Sequence, residues 1–214
     1  MVRSLTLSPN FILCWLLTSL VFLVSCEPNK SDQLTGPAEE PCGFVQNSSG
    51  QRVSWSQKLY TLSLSDSWPP HYEDDVFAAV AKWNEVAGFE LIQVNRTSIN
   101  QPGADGTNIL LWHYDWGDSQ SHLQGLTHLR YAKNTITDAD IRINAKHFEY
   151  YEDTPSSYSE LHLESLLIHE IGHALGLKHV TTPPTVMEPS LYPNMKRTVI
   201  SAVDKSAIEC EYKR

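Results

Sequence analysis

The sequence predicts an α+β domain, and three observations carry that prediction. Short runs of alternating apolar residues recur through the chain and read as strands. Two segments place apolar residues at helical spacing, one before most of the strands and one after them, and a further helix closes the chain. The order strand, helix, several strands, helix, helix is that of an α+β fold. At 214 residues the chain suits one domain with attachments. Six Trp, nine Tyr and six Phe provide bulk for a core, which excludes wholesale disorder. A net charge of −9 argues against nucleic acid, which needs a basic face. No internal repeat and no phosphate-cradling GxxxxGK[ST] is present.

The elements follow in chain order. Lys58 to Leu64 alternates as a strand and stops at Pro69-Pro70. From Tyr72 to Ala87, Val76, Val80, Trp83 and Ala87 share one helical face, Glu73, Asp74 and Asp75 suit the first turn, and Gly88 ends the helix. Strands are expected at Phe89 to Val94, Asn108 to Tyr114, Gly125 to Tyr131 and Asp138 to Asn144. Ser157-Tyr158-Ser159-Glu160 has capping-box form, which predicts a helix from there to about Leu177. Ser201 to Tyr212 reads as the last helix.

The N-terminal residues read as an address. Arg3 precedes an apolar run, Phe11 to Val24, too short for a comfortable membrane span and placed like a secretory signal. Leu23-Val24-Ser25-Cys26 resembles the lipobox of bacterial lipoproteins, which implies cleavage before Cys26 and its lipidation. An ordinary export signal cut near Ser25, or an uncleaved anchor, is the alternative. Residues 1–25 are then a signal peptide, 26–52 the lipidated cysteine and a flexible tether, and 53–214 the domain. The expected location is membrane-anchored outside the cytoplasm, with Glu27 pointing to the bacterial outer membrane. Cys14 leaves with the signal, so Cys42 and Cys210 remain, and an exported domain favours a disulfide between them.

The chemistry lies in His169-Glu170-Ile171-Gly172-His173-Ala174-Leu175-Gly176-Leu177-Lys178-His179. Positions i and i+4 stand one turn apart, so His169 and His173 can aim at one ion. Gly176 can take positive φ, end the helix and return the chain so that His179 supplies a third nitrogen. Three histidines leave a fourth tetrahedral position open, the mark of a catalytic zinc site. Glu170 stands beside the first ligand, placed to act as general base on the zinc-activated water.

This stretch is similar to the zinc motif of the metzincin endopeptidases, and Thr185-Val186-Met187-Glu188-Pro189 resembles their Met-turn. Met187 stands eight residues beyond His179, a short link that resembles the matrixins, the matrix metalloprotease family. Phe77 to Trp83 resembles the first matrixin helix, and Asp204 stands where matrixins keep an acidic residue. Pro189, rather than a tyrosine, two residues after Met187 argues against the astacin pattern. Val180 departs from the serine matrixins often carry there. The resemblance runs from about Trp55 to Tyr212. It implies a metzincin catalytic domain with a twisted, mostly parallel sheet, an active-site helix and a C-terminal helix. It also implies a zinc-dependent endopeptidase acting as a monomer on extracytoplasmic polypeptides, held to a membrane by its lipid. A zinc-binding surface lipoprotein without turnover is the alternative, and Glu170 argues against it; a zincin acting on cell-wall peptides is another.

Three further signals bear on the same resemblance. Pro41-Cys42-Gly43 is similar to the thiol switch of matrixin propeptides, a role that competes with the disulfide. His113, Asp115 and His128, with Asp140 in place of a third histidine, resemble the structural zinc site; an ordinary polar strand edge is the competing reading. Calcium near Glu149, Glu152 and Asp153 is left open. Gly125 to Leu129 resembles the rim strand that takes substrate as an added strand.

Overall fold

The computed structural model describes residues 40–57 and 59–213. The signal segment, Cys26 and the first part of the expected tether lie outside the described residues. The domain is built on strands β1 (Tyr60–Ser65), β2 (Ile92–Thr97), β3 (Ile109–His113), β4 (Gly125–Ala132) and β5 (Thr135–Asn144). Its helices are α1 (Glu73–Ala87), α2 (Leu163–Ala174) and α3 (Ala202–Tyr212). A short parallel pair, β6 (Tyr150–Tyr151) with β7 (Leu161–His162), precedes α2.

The five-stranded sheet runs β2-β1-β3-β5-β4. Three of its pairings are parallel and β4 alone runs antiparallel, paired to β5. The mostly parallel sheet with its three helices is the α+β architecture that the sequence predicts. Central strand β3 carries apolar residues on both faces and is buried at every position from Ile109 to His113. Beneath the sheet, α1 and α2 pack together. Trp83 of α1 is fully buried and donates its indole N–H to the Ile168 carbonyl of α2, 3.0 Å away.

Local chemistry sets the boundaries. Gly88 takes φ +78° and ends α1 as expected. The following strand starts three residues later than the apolar pattern suggests. Asn84 explains the delay: its carbonyl oxygen accepts from the Leu91 and Ile92 amides and spends the first apolar residues on a connection.

The start of α2 also departs from expectation. Glu160 does not cap a helix. Its carboxylate accepts from the amides of Ser156 and Ser157, closing a loop, and residues 161–162 are drawn into strand pairing with 150–151. His162 is the N-cap instead, its Nδ1 accepting from the Ser165 amide. Helix α2 stops at Ala174 because Gly176 adopts φ +102° and the Leu177 amide turns back to the Gly172 carbonyl at 3.0 Å. Helix α3 begins with a full capping box, Ser201 with Asp204.

Residues 42–52, expected within the tether, pack into the domain. Cys42 is disulfide-bonded to Cys210, with Cα atoms 6.3 Å apart. Phe44 is fully buried, its backbone bridges to Leu177, and its ring packs tilted against that of Tyr212. Arg52 forms a buried ion pair with Glu211 at 2.5 Å. An apolar ring and a covalent link hold this segment where its polar composition suggested a loose chain. With Cys42 in a disulfide, its sulfur holds no thiol for a switch.

Candidate active site

Helix α2 carries two of the three histidines, and the turn at Gly176 returns the chain to place the third. His169 and His173 have their Nε2 atoms 3.1 Å apart, and His169 Nε2 lies 3.2 Å from His179 Nε2. Their ring nitrogens form the one group of three or more His, Cys, Asp or Glu ligand atoms that converge among the described residues. The opposite ring nitrogens are spoken for. His169 Nδ1–H donates to the Val186 carbonyl and His173 Nδ1–H to the Leu177 carbonyl, each at 2.8 Å. Each of these two rings therefore turns an unprotonated Nε2 toward the common point. Zinc–nitrogen bonds of about 2.0–2.1 Å in a tetrahedron require nitrogens about 3.3 Å apart, so the spacing fits that ion.

Burial keeps these rings neutral. Desolvation, then the neighbouring His173, pushes His169 down to about 3. Desolvation pushes His173 down to about 4 and lowers His179 as well, where the Arg197 charge adds to it. Glu170 is 5% exposed, and burial drives its carboxyl up to about 7 against a hydrogen bond from Thr127 that lowers it. The Thr127 hydroxyl lies 2.6 Å from Glu170 Oε2.

Met187 packs against the helix that carries His169 and His173. It is buried, and Gly172 of α2 comes so close that a Cβ there would collide with Met187 Sδ. The turn that carries Met187 is held from α3. Asp204 accepts from the Thr185 hydroxyl at 2.5 Å and from the Val186 amide at 3.1 Å, while capping its own helix. The Val186 carbonyl thus orients His169 while its amide is anchored to α3. The Val180 amide donates to the Met187 carbonyl at 2.9 Å and fixes the segment that follows His179.

The triad opens into a cleft of about 800 Å³, bounded by Gly125 to Thr127 on one side and Leu191 and Tyr192 on the other. Strand β4 is the outer strand of the sheet and lines this cleft, and among the described residues no strand pairs with its far edge. A smaller hollow of about 440 Å³ against Cys42, Val180 and Ala207 contains none of the three histidines.

The second metal group does not assemble. Asp140 is buried and already neutralised: it accepts from Arg130 and from the Gly103 amide, each at 3.0 Å. Arg130 also pairs with Asp138. His113 packs its ring against Trp116, and Asp115 and His128 are exposed. A guanidinium, not a metal, balances the acidic pair on β5. Glu149, Glu152 and Asp153 likewise form no convergent ligand group.

Sequence reasoning passed over Thr127, Arg197 and the role of Asp204 in the Met-turn. Thr127 lay in a segment already noted as a rim strand, but its partner is 43 residues away. Arg197 lines the cleft with its guanidinium held by the Glu188 carboxylate at 3.0 Å and the Ser190 carbonyl at 3.1 Å, and no local pattern marks it.

Three converging histidines, two on one helix and the third returned by a glycine turn, beside a buried glutamate make a zinc-binding type of site. Comparison with known proteins agrees. The matrixin family profile matches residues 52–213, and the chain belongs to that family. It is similar to macrophage metalloelastase of Rattus norvegicus, 27% identical over 76% of this chain and 34% of the rat protein. It is also similar to metalloendoproteinase 1-MMP of Arabidopsis thaliana, 34% identical over 39% of this chain and 20% of the plant protein. Matrix metallopeptidase-21 of Danio rerio is 36% identical over 27% of this chain and 10% of its own length. The chain thus spans about a third or less of these relatives.

Proposed function

We propose that the protein is a zinc endopeptidase that cuts polypeptides outside the cytoplasm, anchored to a membrane by lipid on Cys26. The observation that carries the catalytic part is the triad itself: three converging imidazoles, two with Nε2 lone pairs turned inward, beside a buried carboxylate. His169, His173 and His179 would hold the ion. Once bound, zinc supplies an acidified water and polarises the substrate carbonyl. Glu170 takes the proton of the attacking water on a carboxylate oxygen and passes it to the leaving amine nitrogen. A carboxyl raised to about 7 suits both halves of that transfer near neutral pH. Strand β4 receives the substrate backbone along its free edge and presents it to the site.

The test is cleavage of casein or a quenched peptide by purified, zinc-loaded protein. Activity should vanish with 1,10-phenanthroline and with Glu170→Ala, while Glu170→Ala still binds one zinc. Stoichiometric zinc with no cleavage across a broad peptide library would favour a binding protein without turnover. Cell-wall peptides released in a peptidoglycan digest would point to a different substrate. For the anchor, Cys26→Ser should move the protein out of the membrane fraction; unchanged fractionation removes that part of the reading.

A further inference from the structure

We propose that Thr127 is a positioning residue for Glu170, pinning one carboxylate oxygen so that the other is left to work. This rests on the endopeptidase reading. Thr127 and Gly125 are two apart on β4, so both present the same face to α2. Together they frame the carboxylate. The Thr127 hydroxyl lies 2.6 Å from Glu170 Oε2 and 3.0 Å from the Glu170 backbone carbonyl. Gly125 leaves room for Oε1: a Cβ there would come within 2.6 Å of that oxygen. Among the described residues no other hydrogen bond reaches the carboxylate.

The two positions divide the work. A hydroxyl has one proton to give, and the shorter contact is to Oε2. Threonine is stiff at χ1, so the bond fixes a direction as well as a distance. The Glu170 side chain has several rotatable bonds and would otherwise sample more than one rotamer in a cleft of this size. Held at Oε2 and unobstructed at Gly125, the carboxylate keeps Oε1 as its unbonded oxygen. The same contact joins the strand that borders the cleft to the helix that bears the triad.

The test compares Thr127→Val, which keeps the shape and removes the hydroxyl, with Thr127→Ser, which keeps the hydroxyl. Wild type, both variants and Glu170→Ala are assayed on one quenched peptide, and zinc content is measured for each. In Thr127→Val, kcat should fall about tenfold to a hundredfold, with KM within about twofold and one zinc retained. Thr127→Ser should recover most of the loss. Unchanged kcat in Thr127→Val, equal losses in both variants, a loss confined to KM, or loss of zinc would each overturn the assignment. Independently of turnover, the denaturation-midpoint shift caused by Thr127→Val should shrink in a Glu170→Ala background. Equal shifts in both backgrounds would overturn the contact. An inactive wild type with normal coupling would sink the endopeptidase reading and with it any catalytic role for Thr127.

Discussion

Gly172 stands in the middle of α2, where glycine costs about 1 kcal/mol relative to alanine. The fold tolerates that because Met187 Sδ and the Trp83 ring occupy the space a Cβ would need. Gly172→Ala should therefore destabilise by about 1–3 kcal/mol despite the better helix former, measured by urea denaturation. A neutral or stabilised variant would mean that Met187 yields easily. Asp75 makes the opposite case. It is 8% exposed, and its Oδ2 is buried without a hydrogen-bond partner among the described residues. Burial, then Glu152, Glu164, Asp153 and Asp74, raises its carboxyl to about 7. The unfolded chain loses this proton near the ordinary aspartate value of 3.8, the folded chain near 7, so the folded state binds the extra proton between them. Stability from this group is full below pH 3.8 and falls as pH rises toward 7. Asp75→Asn should raise stability at pH 8 by about 1–2 kcal/mol and change little near pH 3.5, read from melting temperatures. A gain equal at both values would remove the titration from the account. Neither effect is legible in the sequence: Asp75 looked like an ordinary first-turn acid, and of the acids that oppose it only Asp74 is a neighbour, while Glu152, Asp153 and Glu164 come from distant segments.

At the scale of elements, α2 was legible where its signals are local and illegible where they are not. The four-residue spacing of His169 and His173 and the glycine before His179 are written within one helix and one turn, so the triad could be named from the chain alone. The capping box at Ser157 and Glu160 satisfied the same kind of rule, yet the Glu160 carboxylate closes a loop onto the Ser156 and Ser157 amides, and pairing of β7 with β6 keeps residues 161–162 extended. The second metal site failed for a related reason. Two histidines and two aspartates stood at suggestive spacings, but Arg130 reaches across the β4–β5 pair and takes the charge of Asp138 and Asp140. Helix α3 shows how one side chain couples elements. Asp204 closes the capping box of α3 and holds Thr185 and Val186, and Val186 orients His169. Asp204→Ala should cost about 2–4 kcal/mol, a lost cap plus unpaired buried donors. It should also weaken zinc binding about tenfold or more, since the carbonyl that orients His169 loses its anchor. Zinc titration against a competing chelator checks this; unchanged affinity with lowered stability would confine Asp204 to the helix cap.

Over the whole molecule, the N-terminal segment acts as a strap that ties the last helix to the turn bearing His179. Cys42 is bonded to Cys210 across 168 residues of sequence. The next residues run beside that turn: the Lys178 amide donates to the Gly43 carbonyl at 2.8 Å and the Val45 amide to the Gly176 carbonyl at 2.9 Å. Gly176 has little room for anything larger, because a Cβ would strike the Val53 carbonyl and crowd Phe44. The sequence offered the two cysteines but not this strap, since Phe44 and Val45 stand alone in a polar stretch. Closing so long a loop removes unfolded-state entropy worth about 5 kcal/mol in the chain model, an upper value. The paired variant Cys42→Ser, Cys210→Ser should unfold about 3–5 kcal/mol more easily and melt about 10 °C lower. Its denaturant slope should rise, because an uncrosslinked chain exposes more surface. Zinc should still bind, since all three histidines remain, but more weakly, because Lys178 and Gly176 lean on the strap. Mass spectrometry of the wild type supplies the control, a gain of about two hydrogens on reduction. A variant that melts with the wild type and holds zinc as tightly would show that packing of Phe44 alone secures the turn.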